Sequence, residues 1–432
     1  MTARQQVQDL LNFIDASPSP WHAAENLGRR LQQADFQRLY ETDAWSLTAG
    51  GRYYLVRDDS SIVAFVAGGK DLAHTGFKII GAHTDSPGLR LKPKPLIESD
   101  GLLRLAVEIY GGPIVATFTD RDLSLAGRVA YRAENGSLAS RLVRFEKPLL
   151  RLPNLAIHMN RGVNEDGLKL QKQQELALLF SQANPQLAAN RFDDLLQDAT
   201  GLDKENLLSW EFNVYDTQPG SFWGDGDAFF TDSQLDNLAS CHAAVSALIS
   251  DSALTSGNTL VCALFDHEEI GSETCKGAAG SFLPDVLERV AMATGLAPQG
   301  YKQALANSLM ISADMAHAYQ PNFPAAYEPN HKIIVNQGPV IKINANHRYA
   351  TQCLSEAVFV EACRHTQVPY QKYAHRGDLP CGSTIGPIAS AKLGIATVDV
   401  GNPMWAMHSI RESAGVKDHG DMITVLRHFL SN

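Results

Sequence analysis

No run of about eighteen uncharged apolar residues occurs in this 432-residue chain, so no membrane-spanning helix is expected. No secretory leader is expected either. Residues 1–14 mix charges and amides among their apolar positions, and no unbroken apolar core follows. The six cysteines (Cys241, Cys262, Cys275, Cys353, Cys363 and Cys381) are scattered and form no CxxC pair. In a chain this long they read as buried or free thiols of a reducing compartment, most simply the cytoplasm. Positive charge is scarce: 37 Lys and Arg stand against 47 Asp and Glu, a net of −10. That balance argues against a nucleic acid or an anionic membrane held by bulk charge. It does not bear on a small substrate, whose pocket can carry the opposite sign. Internal repeats and low-complexity segments are also absent.

Apolar residues are plentiful, at 44%, enough for a sizeable core. At ~100–200 residues per domain, the length implies two or three domains. Apolar spacing predicts helices over 3–14 and 20–33, with Ser19 capping the second ahead of Pro20. Strand-like runs follow at 53–57, 61–67 and 77–81. The last runs straight into Gly81-Ala82-His83-Thr84-Asp85. An apolar strand ending in polar, glycine-flanked residues is the pattern of a sheet that carries its ligands at strand ends.

From about residue 91 the texture changes. Lys92-Pro93-Lys94-Pro95 reads as a stiff, extended linker. Strands are expected at 102–110, 114–119, 127–133 and 140–144, then a helix at 168–189 and a strand at 210–215. From Asp225 the first texture returns. Helices are expected at 235–249 and 355–364, and strands at 259–265, 309–313, 339–343 and 395–400. Strands and helices thus alternate on both sides of a β-rich insertion. The reading is one α/β domain, residues 1–92 plus 222–432, split by a second domain at 93–221.

Five places could carry chemistry. They are His83-Thr84-Asp85, Asp236-Asn237, Asp266-His267-Glu268-Glu269, Asp314 with nearby His317, and His408. Taken singly, most have an ordinary structural explanation. A histidine after a strand, such as His83, can be a hydrogen-bonded core residue. Asp236 can be a helix N-cap, and His408, near an expected helix start, can be structural. The Asp-His-Glu-Glu run can be an exposed acidic loop. Yet it puts three carboxylates and an imidazole beside an apolar strand, where burying unpaired carboxylates costs several kcal/mol each. A cation would remove that cost. Together, the strand-end His, Asp and Glu residues form a nitrogen-and-oxygen donor set suited to Zn²⁺, Co²⁺ or Mn²⁺. Five ligands are too many for one tetrahedral zinc with an open position, and they suit two ions if one carboxylate bridges. A further carboxylate must then carry a proton from water to the leaving amine, and adjacent glutamates can supply both jobs.

These stretches resemble the M18 family of metallopeptidases, the aspartyl aminopeptidase family. The likeness rests on Gly81-Ala82-His83-Thr84-Asp85-Ser86-Pro87, Gln234-Leu235-Asp236-Asn237, Asp266-His267-Glu268-Glu269-Ile270-Gly271-Ser272, Ala313-Asp314-Met315-Ala316-His317-Ala318 and Met407-His408-Ser409-Ile410-Arg411-Glu412. The segment Arg376-Gly377-Asp378-Leu379-Pro380-Cys381-Gly382-Ser383-Thr384-Ile385-Gly386-Pro387 also fits. The resemblance implies that Asp236 bridges two divalent ions, most simply Zn²⁺. His83 and Asp314 would complete one site, and Glu269 and His408 the other. Glu268 would be general base and acid, with Asp85 orienting His83. It further implies a catalytic α/β domain with a mixed sheet flanked by helices, interrupted by a β-rich dimerisation domain. The assembly implied is a homododecamer in which His158 of the insertion reaches a neighbour's site.

Family matching also places His317 and Lys342 near the substrate, with Arg376 a further candidate. Read from its alternating strand alone, Lys342 would face solvent, and His158 would be a surface loop histidine. The resemblance implies removal of N-terminal Asp or Glu from peptides. The alternatives are the same chemistry on neutral residues, a metal-stabilised shell without catalysis, and a related two-metal carboxypeptidase or deacylase.

Overall fold

The structure, a computed structural model, describes residues 1–183 and 191–432. The chain divides into two compact units. The first comprises 1–85, 220–407 and 412–432, and the second 86–219 with His408–Arg411.

A nine-stranded mixed sheet organises the first unit. Its middle is parallel: Thr259–Phe265, Phe77–His83, Leu309–Ala313 and Ala396–Gly401 lie side by side in one direction. Phe265 pairs with His83, and Ser312 pairs with Gly81. Asp314, two residues past Ser312, therefore comes level with His83. This register is how apolar strands deliver polar residues to one edge of the sheet.

The strands Ser61–Val66 and Thr259–Phe265 are buried along their whole length, as expected for strands covered on both faces. Alternate residues feed two cores. Ile80, Ala82, Cys262 and Leu264 join one that includes Leu10, Leu238 and Leu426. Ile79, Val261, Ala263 and Phe265 join the other, with Phe282, Leu283 and Leu287. Helices thus pack on both faces. The helices Ala3–Asp15 and Pro20–Gln33 form where expected, and the Ser19 side chain accepts from the His22 N–H at the second helix start. No helix among the described residues is long and apolar enough to cross a membrane.

The second unit holds a six-stranded antiparallel sheet around Leu105, Leu125, Val129, Phe192 and Phe212. Three expectations fail in it. Residues 92–95 are no linker: they lie within the strand Gly88–Ser99, where pairing lapses between Leu91 and Leu96 and then resumes. Two prolines without N–H groups interrupt a ladder without ending the strand. The expected strand at 114–119 is a single 3-10 turn, Val115–Phe118, because its β-branched residues sit in a tight bend. The expected helix at 168–189 is turn followed by the strand Leu178–Gln182, with 184–190 outside the described residues. There the edge of a sheet claims an apolar run whose spacing also suits a helix.

Candidate metal centre

In the first unit, three strand ends and one helix start converge. His83 closes its strand and is almost wholly buried. Its Nδ1 lies 3.0 Å from the backbone carbonyl of Asp85 and 3.5 Å from the Asp85 carboxylate. The resemblance assigned the orienting task to the Asp85 side chain, but the shorter contact is the main-chain one. Nε2 thereby faces Asp236 Oδ1 at 3.4 Å, Asp314 Oδ1 at 3.7 Å and Glu268 Oε2 at 4.0 Å. Burial disfavours the imidazolium, but hydrogen bonds to Asp236, Asp314 and Asp85 outweigh it and hold His83 well above the usual histidine range. One donor atom each from His83, Asp236 and Asp314 lie within 4.8 Å of one another, as do atoms from His83, Glu268 and Glu269.

Glu268 and Glu269 owe their position to a tight turn after the strand Thr259–Phe265. His267 takes a left-handed φ of 66°, Glu268–Ile270 forms one 3-10 turn, and Gly271 follows at φ 98°. The Asp85 carboxylate accepts from both backbone N–H groups, Glu268 to Oδ1 and Glu269 to Oδ2, each at 3.1 Å. Asp85 therefore pins the turn that carries the two glutamates. Behind it, Asp266 is fully buried. Its Oδ1 accepts the His267 N–H at 2.8 Å and its Oδ2 lies 3.0 Å from Lys276 Nζ. Lys276 also pairs with Asp58 at 2.8 Å and donates to Ser60 Oγ at 2.9 Å. Through these contacts Asp266 and His267 shape the loop. Glu268 itself is pushed up to about 8 by burial; His83 pulls it down, and Asp314, Asp85 and Asp236 push it further up.

Asp236 stands at the start of the helix Leu235–Leu248 but does not cap it, since the capping position is Gln234. Asp236 and Asn237 depart from helical geometry and are joined by a cis peptide bond. The Asp236 N–H donates to Glu412 Oε2 at 3.0 Å, and Asn237 Nδ2 donates to the Ala313 carbonyl at 2.9 Å. Helix start and strand end are thus tied together. Asp314 is ion-paired through Oδ2 with Lys342 Nζ at 3.2 Å, and Lys342 also donates to the Met315 carbonyl at 3.0 Å. Lys342 is 3% exposed, so the solvent-facing reading of its strand is wrong. It points inward because Asp314 repays the cost of burying an ammonium. His317 is lowered to about 4 by burial, with Lys342 and His375 adding to the effect. It would be neutral at pH 7. Arg376 is mostly directed at Asp378, with contacts of 2.6 and 2.7 Å.

His408 and His158 belong to the second unit. His408 is not near a helix start; it takes a left-handed φ of 68° and its Nδ1 lies 3.0 Å from the Gly112 carbonyl. His158 is exposed in a turn. The sequence reading missed Lys276, Glu412, Tyr373 and His375. Glu412 closes the stretch Met407-His408-Ser409-Ile410-Arg411-Glu412, but nothing in the sequence marks it as the acceptor for Asp236.

The donor set fits a divalent cation. Asp85, Asp236, Glu268, Glu269 and Asp314 bring five carboxylates around one imidazole and one lysine, largely out of solvent. Nitrogen and oxygen donors without thiolate are the ligands of catalytic zinc and its neighbours in the first transition row.

Comparison with known proteins agrees. The family model described as aminopeptidase I zinc metalloprotease (M18) matches residues 13–430. A probable M18 family aminopeptidase 2 of Pseudomonas paraeruginosa is 46% identical over 430 residues, 98% of each chain. The solved structure of the Ape4 and Nbr1 complex matches with a TM-score of 0.96 at 36% identity, over 100% of this chain and 86% of that one. The S. cerevisiae mApe1 dodecamer matches with a TM-score of 0.86 at 28% identity, over 99% and 97%. The chain belongs to the M18 family of zinc metalloproteases, and its activity is accordingly metal-dependent hydrolysis at the N-terminus of peptides.

Proposed function

We propose that the chain is a two-metal aminopeptidase with a preference for N-terminal Asp or Glu, and that Glu268 is its general base and acid. Asp236 would bridge, His83 and Asp314 would complete one site, and Glu269 and His408 the other. A histidine donating from Nδ1 to a carbonyl presents the Nε2 lone pair to a metal, and both His83 and His408 have such a carbonyl at 3.0 Å. When bound, the ions would supply Lewis acidity and an acidified water. Glu268 would take the water proton and deliver it to the leaving amine, while Asp85 keeps the glutamate turn in place.

The observation that carries the acidic preference is the buried Lys342 ammonium beside Asp314. A cation held next to the ligand cluster is what a substrate carboxylate needs. One observation favours a neutral preference instead: Asp314 already balances Lys342, and burial lowers His317 to about 4, so that it adds no charge. Peptides differing only in N-terminal Glu or Leu separate the two. We expect faster cleavage of the Glu peptide, and equal or faster Leu cleavage would sink the acidic preference. For the proton carrier, Glu268→Gln should lower kcat by roughly 10²- to 10⁴-fold while bound zinc, by elemental analysis, is unchanged. Near-normal turnover would show that another group moves the proton.

By likeness to the mApe1 dodecamer, the chain would assemble as twelve copies through its inserted unit, with His158 reaching a neighbour's site. The reduced cysteines suit action in the cytoplasm.

A further inference from the structure

We infer that His375 is an additional specificity-determining residue of this peptidase, its Nε2–H donating to a side-chain oxygen of the substrate's N-terminal residue. The inference rests on the site proposed above and concerns which side chains that site selects.

His375 directly follows the strand Gln371–Ala374, in which Tyr373 pairs in register with Lys342. Cross-strand partners share a face of the sheet. From that face, Lys342 reaches Asp314, and Tyr373 meets the His317 ring edge-on at 6.0 Å. The His375 ring lies 6.5 Å from His317 and 6.0 Å from Tyr373. His375 is thus one wall of a group that includes Lys342 and His317, beside Asp314.

Its hydrogen bonding sets its chemistry. Nδ1 lies 2.6 Å from the Tyr373 hydroxyl. Burial raises the Tyr373 phenol, which keeps a proton that it can donate to Nδ1, and we assign that tautomer. The ring's own proton then sits on Nε2. That nitrogen is buried and has no hydrogen-bond partner among the described residues. A buried donor needs an acceptor, from water or from a ligand. A substrate carboxylate or amide oxygen meets the need; a leucine side chain does not. The contact requires no charge, so it is separable from that of Lys342.

The test compares kcat/KM for peptides that begin with Glu, Gln or Leu and are otherwise identical. His375→Ala should lower the Glu and Gln values roughly tenfold and the Leu value by less than about twofold. His375→Gln returns an N–H donor at similar reach and should restore much of the loss. Tyr373→Phe releases Nδ1 and should give a smaller loss with the same substrate signature; it carries the test should His375→Ala not fold. Equal falls on all three peptides, or no change, would overturn the inference. The charge preference is read separately, from the wild-type ratio of Glu to Gln. A ratio near one (order of magnitude) sinks that preference and leaves the His375 test intact, because both side chains carry an acceptor oxygen.

Discussion

At the residue scale, the centre depends on side chains that lie outside the donor cluster itself. Lys276 is the clearest. It is 4% exposed, bound to Asp266 and Asp58, and holds the base of the turn that carries Glu268 and Glu269. Lys276→Met would leave Asp266 charged, buried and stripped of its cation. Removing one partner of a buried pair costs about 3–5 kcal/mol, so urea denaturation should show a loss of that order. An unchanged midpoint would mean that the pair is worth little. His83, Asp236, Glu268, Glu269 and Asp314 were legible in the sequence because each follows an apolar run or opens an apolar helix, where a polar residue is conspicuous. Lys276 and Glu412 were not. Lys276 lies between a cysteine and a glycine with no pattern around it, and its partner Asp58 is far away in the chain. Only the fold brings such residues together.

At the element scale, a polar cluster joins four helices of the first unit. Asp9, on Ala3–Asp15, is bound bidentately by Arg30 at 2.8 Å to each oxygen and lies 2.9 Å from His242 Nε2. His242 Nδ1 lies 2.9 Å from His419 Nε2 on Val416–Ser431. Hydrogen bonds from His242 and Arg30 hold the Asp9 carboxyl well below the usual range. A depressed carboxyl stabilises the fold above its unfolded pKa of ~3.9, and the contribution fades as pH falls through the native value. Asp9 is over a third exposed, so solvent screens much of this. Asp9→Asn should cost about 1 kcal/mol at pH 7, and the gap from wild type should close below about pH 4. A gap independent of pH would show that ionisation is not the source. Elements with one dominant period were readable. The helix at 3–14, the strand at 102–110 and the strand at 259–265 lie within a residue or so of their expected bounds. Failures fell where local pattern and tertiary context conflict, at the interrupted strand around Pro93 and at the sheet edge Leu178–Gln182.

At the scale of the whole molecule, a return of texture after the β-rich stretch is what led to the expectation of one α/β domain, 1–92 plus 222–432, split by a second at 93–221. Residue 93 lies inside the strand Gly88–Ser99, and the second compact unit begins at Ser86. Assembly left no mark in composition, since subunit number depends on surface geometry rather than residue content. Light scattering coupled to size exclusion tests the proposed shell. Twelve chains of 47.0 kDa should elute as a species of roughly 560 kDa, and a dimer as the largest species would remove the shell.

The order of strands in the nine-stranded sheet also sets a timetable for synthesis. Phe77–His83 lies between Thr259–Phe265 and Leu309–Ala313, so a growing polypeptide has His83 in hand long before its flanking strands exist. Asp236 waits longer still, for Glu412, 176 residues further along the chain. The contact that ties down Asp236 therefore cannot form until residue 412 has been made.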